Sequence, residues 1–131
     1  MSQENVNKAR EFLEGYNRRD FDAAFEWVDP EVDFVLPAQQ SSDSCKGTEE
    51  IERFWEGLDE TFDEFQLEQR EFVDAGDLVA TRLRYHGRSK IGAELETEMY
   101  HQVITFRDGV IVRIEYFTSW DQALEAVGAR T

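Results

Sequence analysis

The chain has 131 residues, a length typical of one domain that buries its own core without disulfides or metal ions. Its 29 acidic residues outnumber its 14 basic ones, and the formal net charge of −15 argues against nucleic-acid binding because phosphate groups would be repelled. No apolar run approaches the roughly 18 residues of a membrane-spanning helix, and the single cysteine, Cys45, can form no internal disulfide, so we expect a cytoplasmic protein without a membrane partner.

The chain begins with two predicted helices. Residues 5–18 carry apolar side chains at helical spacing, which predicts an amphipathic helix. Asp20 suits the N-cap of a second helix, in which apolar residues recur up to Val28. The Asp-Pro pair at 29–30 is expected to end that helix.

A strand and a third helix follow. Residues 31–36 place Val32, Phe34 and Leu36 at alternate positions, as a half-buried strand does, and Pro37 ends the pattern. Thr48 suits a helix start because its hydroxyl can accept a hydrogen bond from an unpaired backbone amide. The apolar stripe of this third helix runs over residues 51–62.

The second half of the chain predicts four strands and a short closing helix. The strands span about 65–74, 77–87, 94–107 and 110–119, and the closing helix spans 121–128. The order ααβαββββα indicates an α+β fold, a single domain over 1–131 with its core at about 5–128. Three helices would cover one face of a curved antiparallel sheet and leave a cone open at one end, a common place for a ligand.

The most informative segment is YHQVITFRDGVIVRIEYF, residues 100–117. Its Asp-Gly pair predicts a two-residue hairpin turn. A regular hairpin sets Phe106 opposite Ile111, Ile104 opposite Arg113, Gln102 opposite Glu115 and Tyr100 opposite Phe117, all on one face. His101 then lies on the other face. Both faces are largely apolar, so we expect helices to cover one and a second subunit the other.

Glu115 has two explanations at this stage. Beside Gln102 in a closed apolar pocket, desolvation would raise its pKa and make it a general acid or base. Alternatively, it is a structural carboxylate that makes an ion pair close to Arg113 or faces solvent.

Three segments carry a family resemblance: RRDFDAAFEWVDPEVDF, GTEEIERFW and FRDGVIVRIEYF. With the element order, they resemble the nuclear transport factor 2-like superfamily, particularly its SnoaL-like branch, over about residues 5–128. The resemblance implies a cystatin-like α+β barrel, in which a curved, antiparallel or mixed sheet wraps around three N-terminal helices to form a cone. That superfamily includes ketosteroid isomerases, polyketide cyclases, limonene epoxide hydrolases, dehydratases and members without catalytic activity.

The resemblance does not carry over a complete catalytic set. The isomerase tyrosine would fall at Phe12, its carboxylate base near Leu36 and its second acid near Gln102, and none of the three matches. Gln102 retains the ability to donate a hydrogen bond to a carbonyl oxygen. The cyclase acid would correspond to Glu115 and its partner histidine to His101, while packing at an interface is the alternative for His101.

Aromatic and apolar side chains are the candidates for the pocket wall. The expected residues are Phe12, Tyr16, Trp27, Leu36, Trp55, Tyr100 and Phe117. Trp55 also fits a purely structural role in the core, because it lies within a complete helical stripe. The two histidines and scattered acids show no metal-ligand spacing, and no nucleotide-binding motif is present, so we expect no metal and no cofactor.

Two functions remain open from the sequence. The first is a cofactor-free isomerase, cyclase or hydrolase that acts on an apolar, carbonyl-bearing small molecule, with Glu115 moving a proton. The second is a non-catalytic module that binds a ligand or accompanies another protein. The resemblance further implies a homodimer formed through the outer face of the sheet.

The acidity also has two explanations. Three lysines stand against eleven arginines, and this scarcity of lysine favours a solvated acidic surface adapted to high salt, where self-repulsion is screened. The alternative is a docking surface for a basic partner.

Overall fold

A computed structural model describes residues 2–37, 44–97 and 100–128. Its helices are α1 (Ser2–Arg18), α2 (Phe21–Ala24), α3 (Thr48–Thr61) and α4 (Trp120–Gly128). Its strands are β1 (Val28–Val35), β2 (Cys45–Lys46), β3 (Phe62–Ala75), β4 (Leu78–Ser89), β5 (Glu94–Thr97), β6 (His101–Arg107) and β7 (Val110–Phe117). The α+β prediction is confirmed; the short strand β2 is added, and the predicted strand 94–107 is divided into β5 and β6.

One mixed sheet forms the frame of the molecule. Its strand order is β2-β1-β7-β6-β4-β3, with β5 paired to β4. β1 runs parallel to β7, and the other pairs are antiparallel. Helices α1, α2 and α3 pack with the inner face of the sheet in the main core, whereas α4 packs on the outer face over Leu78, Ala80 and Val103. None of the helices in the described ranges is long and apolar enough to cross a membrane.

Helix α1 is held in place by its buried face and by the residues that follow it. Ala9, Leu13 and Tyr16 are at most 1% exposed, in agreement with the predicted helical stripe. Gly15 lies against α2 so closely that a Cβ atom there would stand 2.5 Å from the backbone nitrogen of Ala24. The α1–α2 contact therefore requires glycine at this position.

Arg19 ties the end of α1 to the rest of the fold. It adopts a left-handed φ of 58°. Its Nη2 and Nε atoms donate to the two carboxylate oxygens of Asp59 at 2.7 and 3.0 Å. The guanidinium also donates to the carbonyl oxygens of Tyr16 and Phe65 at 2.8 and 2.9 Å. A bidentate ion pair with these extra hydrogen bonds fixes the last turn of α1 against α3 and β3.

Two predicted element boundaries are wrong. The second helix ends at Ala24, and Val28 begins β1, so the Asp-Pro pair at 29–30 lies inside a strand. The first residue pair between β1 and β7 is Val28 with Ile111. This strand pairing overrides the local helical pattern. The predicted strand 94–107 is interrupted at Tyr100, whose φ is 65°, and its two parts pair with different ends of β4.

The predicted hairpin register is correct at the turn and wrong beyond it. Phe106 pairs with Ile111 as expected, but the next pair is Thr105 with Arg113, so Val112 is an extra residue in β7. The remaining pairs are Ile104–Ile114, Val103–Glu115, Gln102–Tyr116 and His101–Phe117. A shift of one residue exchanges the two faces of a strand. Gln102 and Tyr116 consequently face the helices, whereas Glu115 and Phe117 face outward.

Candidate functional site

A cavity of about 510 Å³ lies between the inner face of the sheet and helices α1 and α3. Of the fourteen lining residues that the structure describes, nine are aromatic and none is charged. The lining residues are Tyr16, Phe34, Leu36, Phe54, Trp55, Leu58, Phe62, Phe65, Leu67, Tyr85, Leu95, Thr97, Tyr100 and Tyr116. Such a chamber favours an apolar ligand that a few hydroxyl groups orient.

Tyr16 presents a buried hydroxyl in this wall. Its ring packs 4.7 Å from that of Trp55, and the guanidinium of Arg19 lies 4.4 Å from its centroid. The hydroxyl has no hydrogen-bond partner among the residues that the structure describes. Burial raises the pKa of Tyr16 well above its ordinary value, and the charge of Arg19 offsets part of that rise. Tyr16 is therefore a protonated donor at neutral pH.

Tyr116 presents a second hydroxyl in the cavity wall, and this hydroxyl is hydrogen-bonded to Gln102. Gln102 is fully buried, and its Nε2 donates to the Tyr116 hydroxyl oxygen at 2.7 Å. Burial raises the pKa of Tyr116 well above its ordinary value, although the bond from Gln102 works in the opposite direction. Gln102 is not among the described lining residues, and its hydrogen bond connects it to the cavity through Tyr116.

Tyr85 is oriented differently. Its hydroxyl donates to the carbonyl oxygen of Tyr100 at 2.5 Å, so its proton is already in use. Burial raises the pKa of Tyr85 well above its ordinary value, and the neighbouring phenols of Tyr116, Tyr100 and Tyr16 raise it further. All four of these tyrosines line the cavity, and the ring centroids of Tyr85 and Tyr100 are 6.2 Å apart.

Among the lining residues that the structure describes, none carries a carboxylate, imidazole or thiol group. Within residues 2–37, 44–97 and 100–128, no three His, Cys, Asp or Glu side chains are grouped as metal ligands. The chemistry that the described lining can supply is therefore hydrogen-bond donation and aromatic contact.

The cavity brings together four of the seven pocket residues expected from sequence: Tyr16, Leu36, Trp55 and Tyr100. Phe12 lies in the core with its ring 5.5 Å from that of Trp55. Trp27 is 38% exposed, and its indole N–H donates to Glu11. Phe117 packs on the outer face with α4.

The candidate acid and histidine both lie on the outer face. Glu115 Oε1 is 3.4 Å from Arg113 Nη2, which agrees with the structural alternative rather than with a position beside Gln102. His101 is buried under α4, where its Nδ1 accepts from the Leu83 amide at 3.1 Å and its ring meets Trp120 edge-on. The structure therefore brings neither residue to the cavity wall.

Tyr85 and Tyr116 are the informative lining residues that sequence reasoning missed. The signal for Tyr85 was present, because it alternates with Arg84 and His86 and so faces the other side of β4. No comparable signal existed for Tyr116, because the extra residue in β7 reverses the direction that counting from the turn predicts.

Comparisons with known proteins agree with this architecture. The family model described as SnoaL-like domain matches residues 9–114. No curated protein matches the chain in sequence. The TerC structure co-crystallised with polyporic acid is 21% identical, covers 95% of this chain and 98% of its own, and has a TM-score of 0.79.

Two further structures are similar over nearly the whole chain. A nuclear transport factor 2-like protein of unknown function from Burkholderia pseudomallei is 20% identical, with a TM-score of 0.78 and coverage of 95% of this chain and 97% of its own. A candidate SnoaL-like polyketide cyclase from Jannaschia sp. CCS1 is 18% identical, with a TM-score of 0.75 and coverage of 98% and 94%. At these identities the similarity establishes the fold.

Proposed function

We propose, since this chain belongs to the SnoaL-like domain family, that it binds an apolar small molecule with a hydrogen-bond acceptor in the aromatic cavity. The observation that carries the proposal is the fully buried Tyr16 hydroxyl, which has no partner among the described residues and lies in the cavity wall. A buried donor left unsatisfied costs about 1–3 kcal/mol. A ligand oxygen that accepts from Tyr16 would remove this cost.

The size and chemistry of the cavity support one small ligand. Its volume of about 510 Å³ lies within the usual range for small-molecule sites. Apolar contact with Trp55 and the other rings would supply most of the binding free energy. A charged ligand would lose its hydration without meeting an opposite charge in the described lining.

Binding without catalysis is the function that the geometry favours. Proton transfer requires a titratable group within hydrogen-bond reach of the substrate, and the described lining offers phenols with raised pKa values. The second candidate is an enzyme of the isomerase or cyclase type on a carbonyl substrate. Its support is that Tyr16 and Tyr116 could stabilise a developing oxyanion. One relative, TerC, was co-crystallised with a small molecule, polyporic acid.

We also propose a homodimer formed through the outer sheet face. Helix α4 covers this face over Ala80 and Val103, and on the same face the side chains of Arg113 and Glu115 remain 43% and 35% exposed. Light scattering during size-exclusion chromatography would give a mass of twice the chain. A monomer mass at micromolar concentration would contradict this assembly.

The binding function is tested by titrating the protein with a neutral aromatic probe, 2-acetylnaphthalene. Quenching of tryptophan fluorescence measures the binding. We expect saturable binding of one probe per chain. Leu58→Trp, which fills the cavity from α3, should abolish it, whereas Ile91→Trp, at a residue that is 93% exposed, should not. Circular dichroism confirms folding of both variants. Probe binding that survives Leu58→Trp unchanged would place the probe elsewhere and defeat the proposal.

A further inference from the structure

Resting on the proposed binding function, we infer that Gln102 is a positioning residue that fixes the Tyr116 hydroxyl as a donor toward the cavity. The site would then present two phenol donors, Tyr16 and Tyr116, to a single acceptor oxygen. The ligand class that fits is an uncharged aromatic or polycyclic molecule with a carbonyl group.

The direction of the Tyr116 proton follows from the bond that Gln102 makes. A phenol has one proton to donate, and its oxygen can also accept. Because Gln102 Nε2 donates to that oxygen at 2.7 Å, the Tyr116 proton must point elsewhere. Among the described residues this hydroxyl has no other hydrogen-bond partner. The proton is therefore available to an acceptor inside the cavity.

The position of Gln102 is set by the sheet. It is 0% exposed on β6, where its cross-strand partners are Tyr116 on β7 and Thr81 on β4. A side chain enclosed in this way keeps its amide close to Tyr116. Its Oε1 has no partner among the described residues, so the amide is held against Tyr116 by packing and by this hydrogen bond.

The pair of donors matches a carbonyl group. The Tyr85 hydroxyl already donates to Tyr100 O, which leaves Tyr16 and Tyr116 as the two of these three phenols that can still donate. A carbonyl oxygen has two lone pairs and can accept from both phenols. A carboxylate fits poorly, because the described lining has no cation to offset its loss of hydration.

The test compares three probes of similar shape: 2-acetylnaphthalene, 2-isopropylnaphthalene and 2-naphthoate. Tyr116→Phe should weaken binding of the ketone roughly tenfold, as the loss of one hydrogen bond predicts, and leave the hydrocarbon within about twofold. Gln102→Met introduces a side chain of similar size. It should weaken binding of the ketone several-fold in the wild-type background and leave binding unchanged in the Tyr116→Phe background. 2-Naphthoate should bind when acidification neutralises it and not at neutral pH.

A vibrational measurement separates positioning from a purely structural role. The carbonyl stretch of bound 2-acetylnaphthalene should shift to lower frequency with two donors, and Tyr116→Phe or Gln102→Met should each reverse part of that shift. Gln102→Leu replaces Gln102→Met if the latter does not fold. An unchanged stretch and unchanged ketone affinity in the Gln102 variants would overturn the inference.

The outcomes for the two proposals are distinct. If neither neutral probe binds the wild-type protein, the binding function itself is wrong. If both bind and the variants at 102 and 116 weaken them equally, the cavity binds ligands but Gln102 does not direct a proton. Ketone-specific loss in both variants, coupled as described, supports the inference.

Discussion

At the residue scale, the buried phenol hydroxyls differ in whether they have a hydrogen-bond partner. Tyr16 and Tyr85 are both buried phenols, yet the hydroxyl of Tyr16 has no partner in the described chain and that of Tyr85 serves the carbonyl of Tyr100. Removing the Tyr85 hydroxyl should therefore lower stability and removing the Tyr16 hydroxyl should not, since the cost of a buried polar group depends on whether it is paired.

Tyr16→Phe should leave the free energy of unfolding unchanged or slightly higher, because it removes an unsatisfied buried hydroxyl. The same change should weaken 2-acetylnaphthalene binding roughly tenfold, because one hydrogen bond to the ligand is lost. Urea denaturation and fluorescence titration measure the two effects. The matched variant Tyr85→Phe should instead lower stability by about 1–2 kcal/mol, because the Tyr100 carbonyl loses its donor. A large loss of stability in Tyr16→Phe would show that its hydroxyl is already satisfied.

The sequence allowed part of this site to be predicted. Tyr16 could be identified because a helical stripe placed it on the buried face of α1 and its polar tip required a partner. Trp27 satisfied the same criterion but is 38% exposed, since its indole N–H reaches Glu11 and Lys8 lies over its ring. Local pattern alone does not distinguish a partner inside a cavity from one at the surface.

At the element scale, the close approach of α1 to α2 sets the position of Tyr16. Gly15, its neighbour in α1, has no room for a side chain. A Cβ atom added to Gly57 in α3 would instead meet no heavy atom of the described residues within 4 Å. Substituting alanine at each glycine therefore compares two effects on stability: steric overlap at Gly15 and higher helix propensity at Gly57.

Gly15→Ala should lower the free energy of unfolding by about 1–3 kcal/mol, because the new methyl group would overlap the backbone of Ala24. Gly57→Ala should raise it by up to about 1 kcal/mol, because alanine favours an unobstructed helix. Thermal and chemical denaturation give both values. Equal effects of the two substitutions would indicate that α1 and α2 are not packed as described.

Element types could be predicted better than their ends and registers. The α+β class follows from periodicity, and the Asp-Gly pair located the last hairpin correctly. The end of α2 depends on the pairing of Val28 with Ile111, a contact distant in sequence. Similarly, the extra residue Val112 has no signature in composition, because a bulge is defined by the partner strand.

At the scale of the whole molecule, buried phenols predict a response to alkali. The pKa values of Tyr16, Tyr85 and Tyr116 are all raised in the folded state. The stability linked to these protonated groups is fully present below the unfolded pKa of about 10 and is lost as pH rises through the higher folded values.

We therefore expect constant stability from these groups at neutral pH and a steep decrease above about pH 10. The ultraviolet absorbance of tyrosinate should show that these three residues ionise together with unfolding, as monitored by circular dichroism. The decrease should be shallower in Tyr16→Phe, which carries one fewer buried phenol. Ionisation of all tyrosines before any loss of structure would contradict the burial of these hydroxyls.

The net charge of −15 predicts a second response of the whole molecule. With 14 basic residues against 29 acidic ones, one-to-one pairing could offset fewer than half of the acidic groups. Self-repulsion of this kind is screened by salt. The melting temperature should therefore rise as potassium chloride increases from about 0.01 M to about 1 M. A melting temperature independent of salt would argue against adaptation of this surface to high salt.

The extra residue in β7 has a consequence for comparing this chain with its relatives. Because Val112 is an extra residue, each later side chain of β7 that faces the helices is one position further along the chain than in a regular hairpin. A gapless alignment from the turn would place the inward residue of an unbulged relative in the same column as the outward Glu115, with Tyr116 one column away. Residue roles in β7 should therefore be compared by the face of the sheet on which each side chain lies. A carboxylate aligned with Glu115 in an unbulged relative would lie on the opposite face and belong to a different site.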